Sequence, residues 1–242
     1  VIRKTANASL TQTSGLSGTT SDVLVAGQVR LADKLSLTAE MLRLQQARLA
    51  EEIGDTLILV EHPEIVTVGP KARREGVVVP ESYATSPIDR GGGITWHGPG
   101  QLVGYPILDL QNYGKDLHAY LRVLEESLVN TLADFSIVAR RREGLTGVWV
   151  EDRKIASIGV GIRRWVTMHG FALNISPDSL PPFLSITPCG IDGVTTTCLH
   201  HESSQHPDTQ EVGKAALHHL SSKLAELATN STTRAGQLPP PK

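Results

Sequence analysis

Between Arg90 and Gln101 the chain reads RGGGITWHGPGQ, which sets three consecutive glycines and a Gly-Pro-Gly turn beside an arginine and a histidine. Gly91, Gly92 and Gly93 free the backbone for positive φ and let a ligand lie against main-chain N–H groups. The run is not a phosphate loop, because the Gly-Lys-Ser/Thr ending is missing, and no helix follows it as a dinucleotide fingerprint requires. Two readings stay open on spacing alone: a tight strand entry with a hairpin turn, or a cradle for a ligand. A chain that needed only a turn would not need the arginine and the histidine.

The flanking patterns place this run in a sheet. ITWH and LVGYPIL predict a strand on each side of Gly-Pro-Gly. Upstream, 23–29 reads as a first strand. A helix follows, with Leu35, Ala39, Leu42, Leu49 and Ile53 on one face and Gly54 at its end. TLILVE (56–61) reads as a buried strand, IVTVG (65–69) as another after the HPE break, and 70–89 as loop with the apolar triplet Val77 to Val79 inside it. Asp116 is placed to cap a helix burying Leu117, Tyr120, Leu121, Leu124, Leu128, Leu132 and Phe135. GVWVE and KIASIGVGI, separated by Asp152 and Arg153, carry a hairpin signature, and VTMHGFALNI (166–175) supplies a further strand. A last helix near 210–228 aligns Val212, Ala216, Leu217, Leu220, Leu224 and Leu227. With no repeat and no regular βαβ rhythm, the expected class is α+β, a mixed or antiparallel sheet with flanking helices.

Composition excludes several functions. A net charge of -2 and 4% aromatic residues leave neither the electrostatic footprint nor the stacking platforms of a nucleic-acid binder. No apolar run approaches the ~20 residues of a membrane span. Two cysteines cannot make a disulfide framework, and free thiols in a reducing cytosol are the default. Residues 1–21, rich in Ser and Thr with no acid before Asp22, read as a tail, with an organellar leader as the alternative. Residues 230–242 read as a second tail, which leaves 22–229 as one domain, expected in the cytoplasm, or alternatively an organellar matrix, and as a monomer.

Cys189, in SITPCGI, follows a proline and precedes a glycine, the turn setting in which a thiol can be exposed beside N–H donors. A thiol with pKa near ~8.5 needs a cation or base close by to act as a nucleophile at neutral pH. Lys154 supplies one by leading the strand face Ala156, Ile158, Val160 and Ile162, although a lysine there also reads as a solvated strand end. Cys198 lacks comparable surroundings. The His-rich HHESSQH (200–206) does not match zinc spacing and reads as structural, and His218 and His219 read as surface.

Three blocks, RGGGITWHGPGQLVGYPI, GVWVEDRKIASIGV with HGFALNIS, and PCGIDGVT, resemble the octanoyltransferases of lipoate biosynthesis, and EHPEIVTVG resembles that family's entry segment. The resemblance covers 23–228 and implies the α+β fold shared with lipoate and biotin protein ligases. It implies that Cys189 is the nucleophile and that Lys154 lowers its pKa. It also implies substrate contacts from Arg90, Gly91, Gly92, Gly93, Ile94, Thr95, Trp96 and His97, from Ser157, Ile158 and Gly159, and from Gly170, Phe171 and Ala172. The implied reaction carries an octanoyl group from octanoyl-acyl carrier protein, through a cysteine thioester, to a lysine of a lipoyl domain. The implied acceptors are 2-oxoacid dehydrogenase complexes and the H protein of glycine cleavage, and no cofactor or metal is implied.

Within that reading Gly92, Gly159 and Gly170 leave room for the acyl chain, and turns near Gly190 or Gly91 to Gly93 supply N–H donors to an oxyanion. Arg90 either pairs with a carboxylate to brace its loop or meets an acidic carrier protein, and His97 orients the site or bounds the acyl pocket. The rivals are an ATP-dependent lipoate–protein ligase, a non-catalytic module that binds acyl groups or carrier protein, and a cysteine hydrolase using His169.

Overall fold

The structure, a computed structural model, describes residues 24–25, 30–31, 34–184, 186 and 194–236; the 1–21 segment and Cys189 lie outside them. Strands β1 (Leu24–Val25) and β2 (Arg30–Leu31) precede helix α1 (Lys34–Leu49). There follow β3 (Thr56–Glu61), β4 (Ile65–Val68), α2 (Pro70–Arg74), β5 (Thr85–Pro87), β6 (Ile94–His97), β7 (Gln101–Ile107) and α3 (Leu117–Asp134). The chain continues through β8 (Arg140–Arg142), β9 (Leu145–Val150), β10 (Arg153–Arg163), β11 (Val166–Asn174), α4 (Leu199–Glu202) and α5 (Thr209–Gly236).

Among the described residues the strands form two sheets. The larger runs β1-β3-β7-β11-β10-β9-β8, with β2 also beside β3. β1 and β2 lie parallel to β3, and the other pairs are antiparallel. The smaller sheet sets β4 between β5 and β6. This is the expected α+β arrangement with a mixed sheet and flanking helices. Every residue of β7 is buried, because both faces of the large sheet are covered. On one face α3 and α5 pack Tyr120, Leu124, Leu128, Leu220 and Leu224 against Leu57, Leu59 and Leu102. On the other, α1 brings Leu37 and Met41 to Ile58, Val60, Val103, Tyr105 and Ile107. The Asp116 carboxylate accepts from Ala119 N–H at 3.0 Å and starts α3 where expected.

Several expectations are corrected. Helix α1 buries Leu37, Met41 and Gln45, four residues apart, while Ala39 and Leu42 are exposed. Gln45 Nε2 donates to the Val166 carbonyl at 2.9 Å, a contact no leucine can make, and Glu51 at φ 60 ends the helical path before Ile53. The 70–89 stretch contains α2 and β5 rather than loop alone. The turn between β9 and β10 lies at Glu151 and Asp152, since Arg153 already pairs with Val150. Helix α5 continues past 230 to Gly236.

The Gly-Pro-Gly segment is not a hairpin turn. β6 pairs with β4 in the small sheet, and β7 pairs with β3 and β11 in the large one. The segment therefore carries the chain from one sheet to the other.

Candidate active site

Between the two sheets lies a small cavity of about 50 Å³ that opens to solvent. Of the expected contact residues, Arg90, Gly91, Gly92, Thr95, His97, Ser157, Ile158, Gly159, Gly170, Phe171 and Ala172 line it. Gly93, Ile94 and Trp96 do not; Ile94 and Trp96 pack with Val66, Ala72 and Ile186 in the core of the small sheet. This division follows from strand alternation in β6, which turns Thr95 and His97 to the cavity and Ile94 and Trp96 away from it. Ile88, Val103, Tyr105 and His169 complete the lining.

Arg90 is only 8% exposed, so it offers no surface to an acidic protein. Its guanidinium donates to Thr67 Oγ1 at 2.9 Å, to the Thr67 carbonyl at 3.4 Å and to the Gly91 carbonyl at 3.0 Å. It braces the glycine run through a hydroxyl and carbonyls. Gly91 N–H donates to Val160 O at 3.0 Å, which ties the run to β10 and removes this amide as an oxyanion donor.

Two glycines make room for protein rather than for an acyl chain. A Cβ on Gly170 would stand 2.2 Å from Gly104 O on β7, and one on Gly159 would stand 3.1 Å from Gly91 O and 3.0 Å from Arg90 Cδ. The apolar space is bounded instead by Ile88, Val103, Ile158, Phe171 and Ala172. Thr95 Oγ1 is buried and has no hydrogen-bond partner among the described residues.

Buried polar residues gather at this cavity, including a pair absent from the expected set. His62 Nε2 and Tyr105 OH are 2.8 Å apart, and the His62 ring lies 5.8 Å from that of His97. Burial pushes the Tyr105 phenol well above its ordinary range, opposed by the nearby Arg90 charge. The sequence signals were the HPE break and the tyrosine in VGYPI, which carry meaning only once β3 and β7 are seen as neighbours. His169, at φ 60 on β11, is buried at the cavity wall.

Lys154 is 5% exposed and is not a solvated strand end. Its N–H donates to Thr195 O at 2.8 Å, and its carbonyl accepts from Thr197 N–H at 3.0 Å. Residues 195–197 thus run as a strip along the start of β10. The ammonium lies 5.4 Å from the centroid of the Trp149 ring. Gly147, at φ 130, makes the space: a Cβ there would stand 2.7 Å from Lys154 Cε. Glu125 on α3 holds Gly147 by accepting its N–H at 3.0 Å. The register shifts between Lys154 and Ala156, so strict alternation does not begin at Lys154.

The remaining sequence candidates stand apart from the cavity lining. Cys198 is fully buried, and burial pushes its thiol above the ordinary value. His200 stacks on His206 at 4.7 Å and bonds the Pro207 carbonyl at 3.0 Å. His219 Nε2 is 2.8 Å from an Asp134 carboxylate oxygen. Among the described residues no His, Cys, Asp and Glu cluster can hold a metal, and no helix is long and apolar enough to cross a membrane.

Comparison with known proteins follows the same lines. The family model for the lipoyl protein ligase A/B catalytic domain matches residues 34–221. An octanoyltransferase of Cytophaga hutchinsonii is 48% identical over 192 residues, 74% of this chain and 78% of that one. The structure of lipoate-protein ligase A bound with ATP is similar at a TM-score of 0.59 and 14% identity, over 84% of this chain and 94% of that chain. A biotin-bound mutant of biotin protein ligase from Aquifex aeolicus is similar at a TM-score of 0.52 and 16% identity, over 84% and 72% of the two chains. At these identities the structural likeness is one of fold.

Proposed function

Because this chain belongs to the lipoyl protein ligase A/B catalytic-domain family, among its octanoyltransferases, we propose that it carries an octanoyl group from octanoyl-acyl carrier protein to a lipoyl-domain lysine through a thioester on Cys189. The acceptors in this reading are lipoyl domains of 2-oxoacid dehydrogenase complexes and the H protein of glycine cleavage, met by a cytosolic monomer. The observation that carries the reading is a cavity with an apolar wall on β7, β10 and β11 that shares β10 with the buried Lys154.

Described residues on both sides of Cys189 are anchored. Ile186 packs beside Trp96, and Thr195 is bonded to Lys154. That supports a thiol working near the lysine. An adjacent ammonium favours ionised sulfur, which attacks the donor thioester carbonyl; the carrier's thiolate leaves and takes up a proton. The acceptor amine then attacks the octanoyl-cysteine thioester, loses a proton, and the Cys189 sulfur departs. The amide product is far more stable than either thioester and draws the sequence forward. Lys154 relays protons between the leaving thiols and the attacking amine. Burying the octanoyl tail contributes about 5 kcal/mol of binding at ~0.8 kcal/mol per methylene.

Intact-mass measurement after mixing with octanoyl-acyl carrier protein tests the proposal. One octanoyl adduct is expected, lost in Cys189→Ala and kept in Cys198→Ala. An adduct on Cys198 overturns the site. Modification of a lipoyl domain from free octanoate and ATP, without the carrier protein, replaces the transferase reading with the ligase.

A further inference from the structure

A chain of side-chain amides joins the cavity to the strip that flanks Lys154. His97 Nδ1 is 2.8 Å from Gln101 Oε1. Gln101 Nε2 donates to Asn174 Oδ1 at 2.9 Å, and Asn174 Nδ2 donates to the Thr197 carbonyl at 3.0 Å. All four residues are buried. Gln101 and Asn174 are directly opposite across β7 and β11, so the link is built into the sheet register.

The direction of this chain is fixed at one end. The Thr197 carbonyl can only accept, so Asn174 must present its NH₂ to it and its oxygen to Gln101. Gln101 must then present its NH₂ to Asn174 and its oxygen to His97. An oxygen facing Nδ1 requires Nδ1 to carry the proton. Reversing either amide would set two acceptors, or two donors, against each other in a buried site, leaving each desolvated and unsatisfied.

We infer that Gln101 and Asn174 are positioning residues that hold neutral His97 in the Nδ1–H tautomer, which makes its Nε2 a hydrogen-bond acceptor. The inference rests on the octanoyl-transfer reading for its purpose. An acceptor nitrogen repels the oxyanion of a tetrahedral intermediate and suits the N–H of the attacking amine. The second nitrogen of a histidine sets the chemistry of the first, and here the setting originates at a backbone carbonyl on the Lys154 strip.

Long-range ¹H–¹⁵N correlation spectra of histidine-labelled protein, recorded near pH ~8 where imidazole is neutral, read the tautomer directly. The Nδ1–H pattern is expected for His97 in the native chain. Gln101→Met and Asn174→Leu should release the lock, with Nε2–H signal appearing. In Gln101→Met, kcat for transfer should fall about tenfold, with KM for octanoyl-acyl carrier protein within about twofold. A native His97 with its proton on Nε2 overturns the inference, as does a native tautomer pattern in Gln101→Met. Because the spectrum reads the unliganded protein, it decides the relay even if octanoyl transfer is disproved.

Discussion

The hydroxyls of α3 and the polar groups at the cavity are answered over different distances along the chain. The hydroxyls of α3 are answered close by: Ser127 Oγ donates to Val123 O at 2.6 Å and Thr131 Oγ1 to Ser127 O at 2.8 Å, each one turn back along the same helix, while Glu125 and Tyr113 on the same face of the large sheet reach further, to Gly147 and Asp55. The other face includes the cavity, and there polar groups reach across the chain. Arg90 and Thr67 are 23 residues apart in sequence, His62 and Tyr105 are 43 apart, and Gln101 and Asn174 are 73 apart. Hydroxyls answered within their own helix ask nothing of the fold beyond apolar packing. Polar groups answered from elsewhere require several elements to be in place at once, and that requirement gathers at the cavity.

Substitutions on the two faces should damage different properties. Lys154→Ala is expected to slow acylation and transfer by about 10²- to 10⁴-fold while leaving the fold intact, measured by burst kinetics and by circular dichroism. A near-native rate would remove the lysine from the chemistry. On the opposite face, Leu128→Ala should cost about 2–5 kcal/mol of stability in urea titration, with kcat unchanged below the transition. A loss of kcat as large as that of Lys154→Ala would erase the distinction between the faces. Ala172→Leu, which narrows the cavity, should move preference toward shorter acyl donors by about fourfold per methylene, the equivalent of ~0.8 kcal/mol. Unchanged chain-length selectivity would show that the acyl group lies elsewhere.

The smallest effect concerns acid. Burial tends to raise the Glu202 carboxyl, but bonds from Arg153 and Thr197 outweigh it and hold the group below its ordinary 4.5. A depressed folded value stabilises the protein above that pH, and the stabilisation is lost as pH falls through the folded value. Thermal melts should therefore show a shallower decline below about pH 4.5 in Glu202→Gln than in the native chain.

Legibility in the sequence followed the reach of each interaction. The Asp116 cap, the apolar stripe of α3 and the β9–β10 hairpin depend on neighbours within a few residues, and they were readable. The buried face of α1 is not legible locally, because its leucines offer two stripes and the choice turns on Gln45 meeting Val166 across 121 residues. Burial of Lys154 depends on the 195–197 strip, and the crossing at Gly-Pro-Gly depends on which strands β6 and β7 pair with; neither partner is local. Residue blocks 90–97, 157–159 and 170–172 are legible only through family resemblance, and most of their residues border one cavity. His62 and Tyr105 carry no local signal, because each alone has the appearance of an ordinary core residue and their contact spans 43 residues.

The Gly-Pro-Gly crossing has a mechanical consequence. His97 ends one sheet and Gln101 begins the other, and a hydrogen bond spans the three residues between them. At that edge the walls of the cavity are riveted together. The gap between the sheets is thereby set at that edge by the chain itself, like the jaws of a locked caliper.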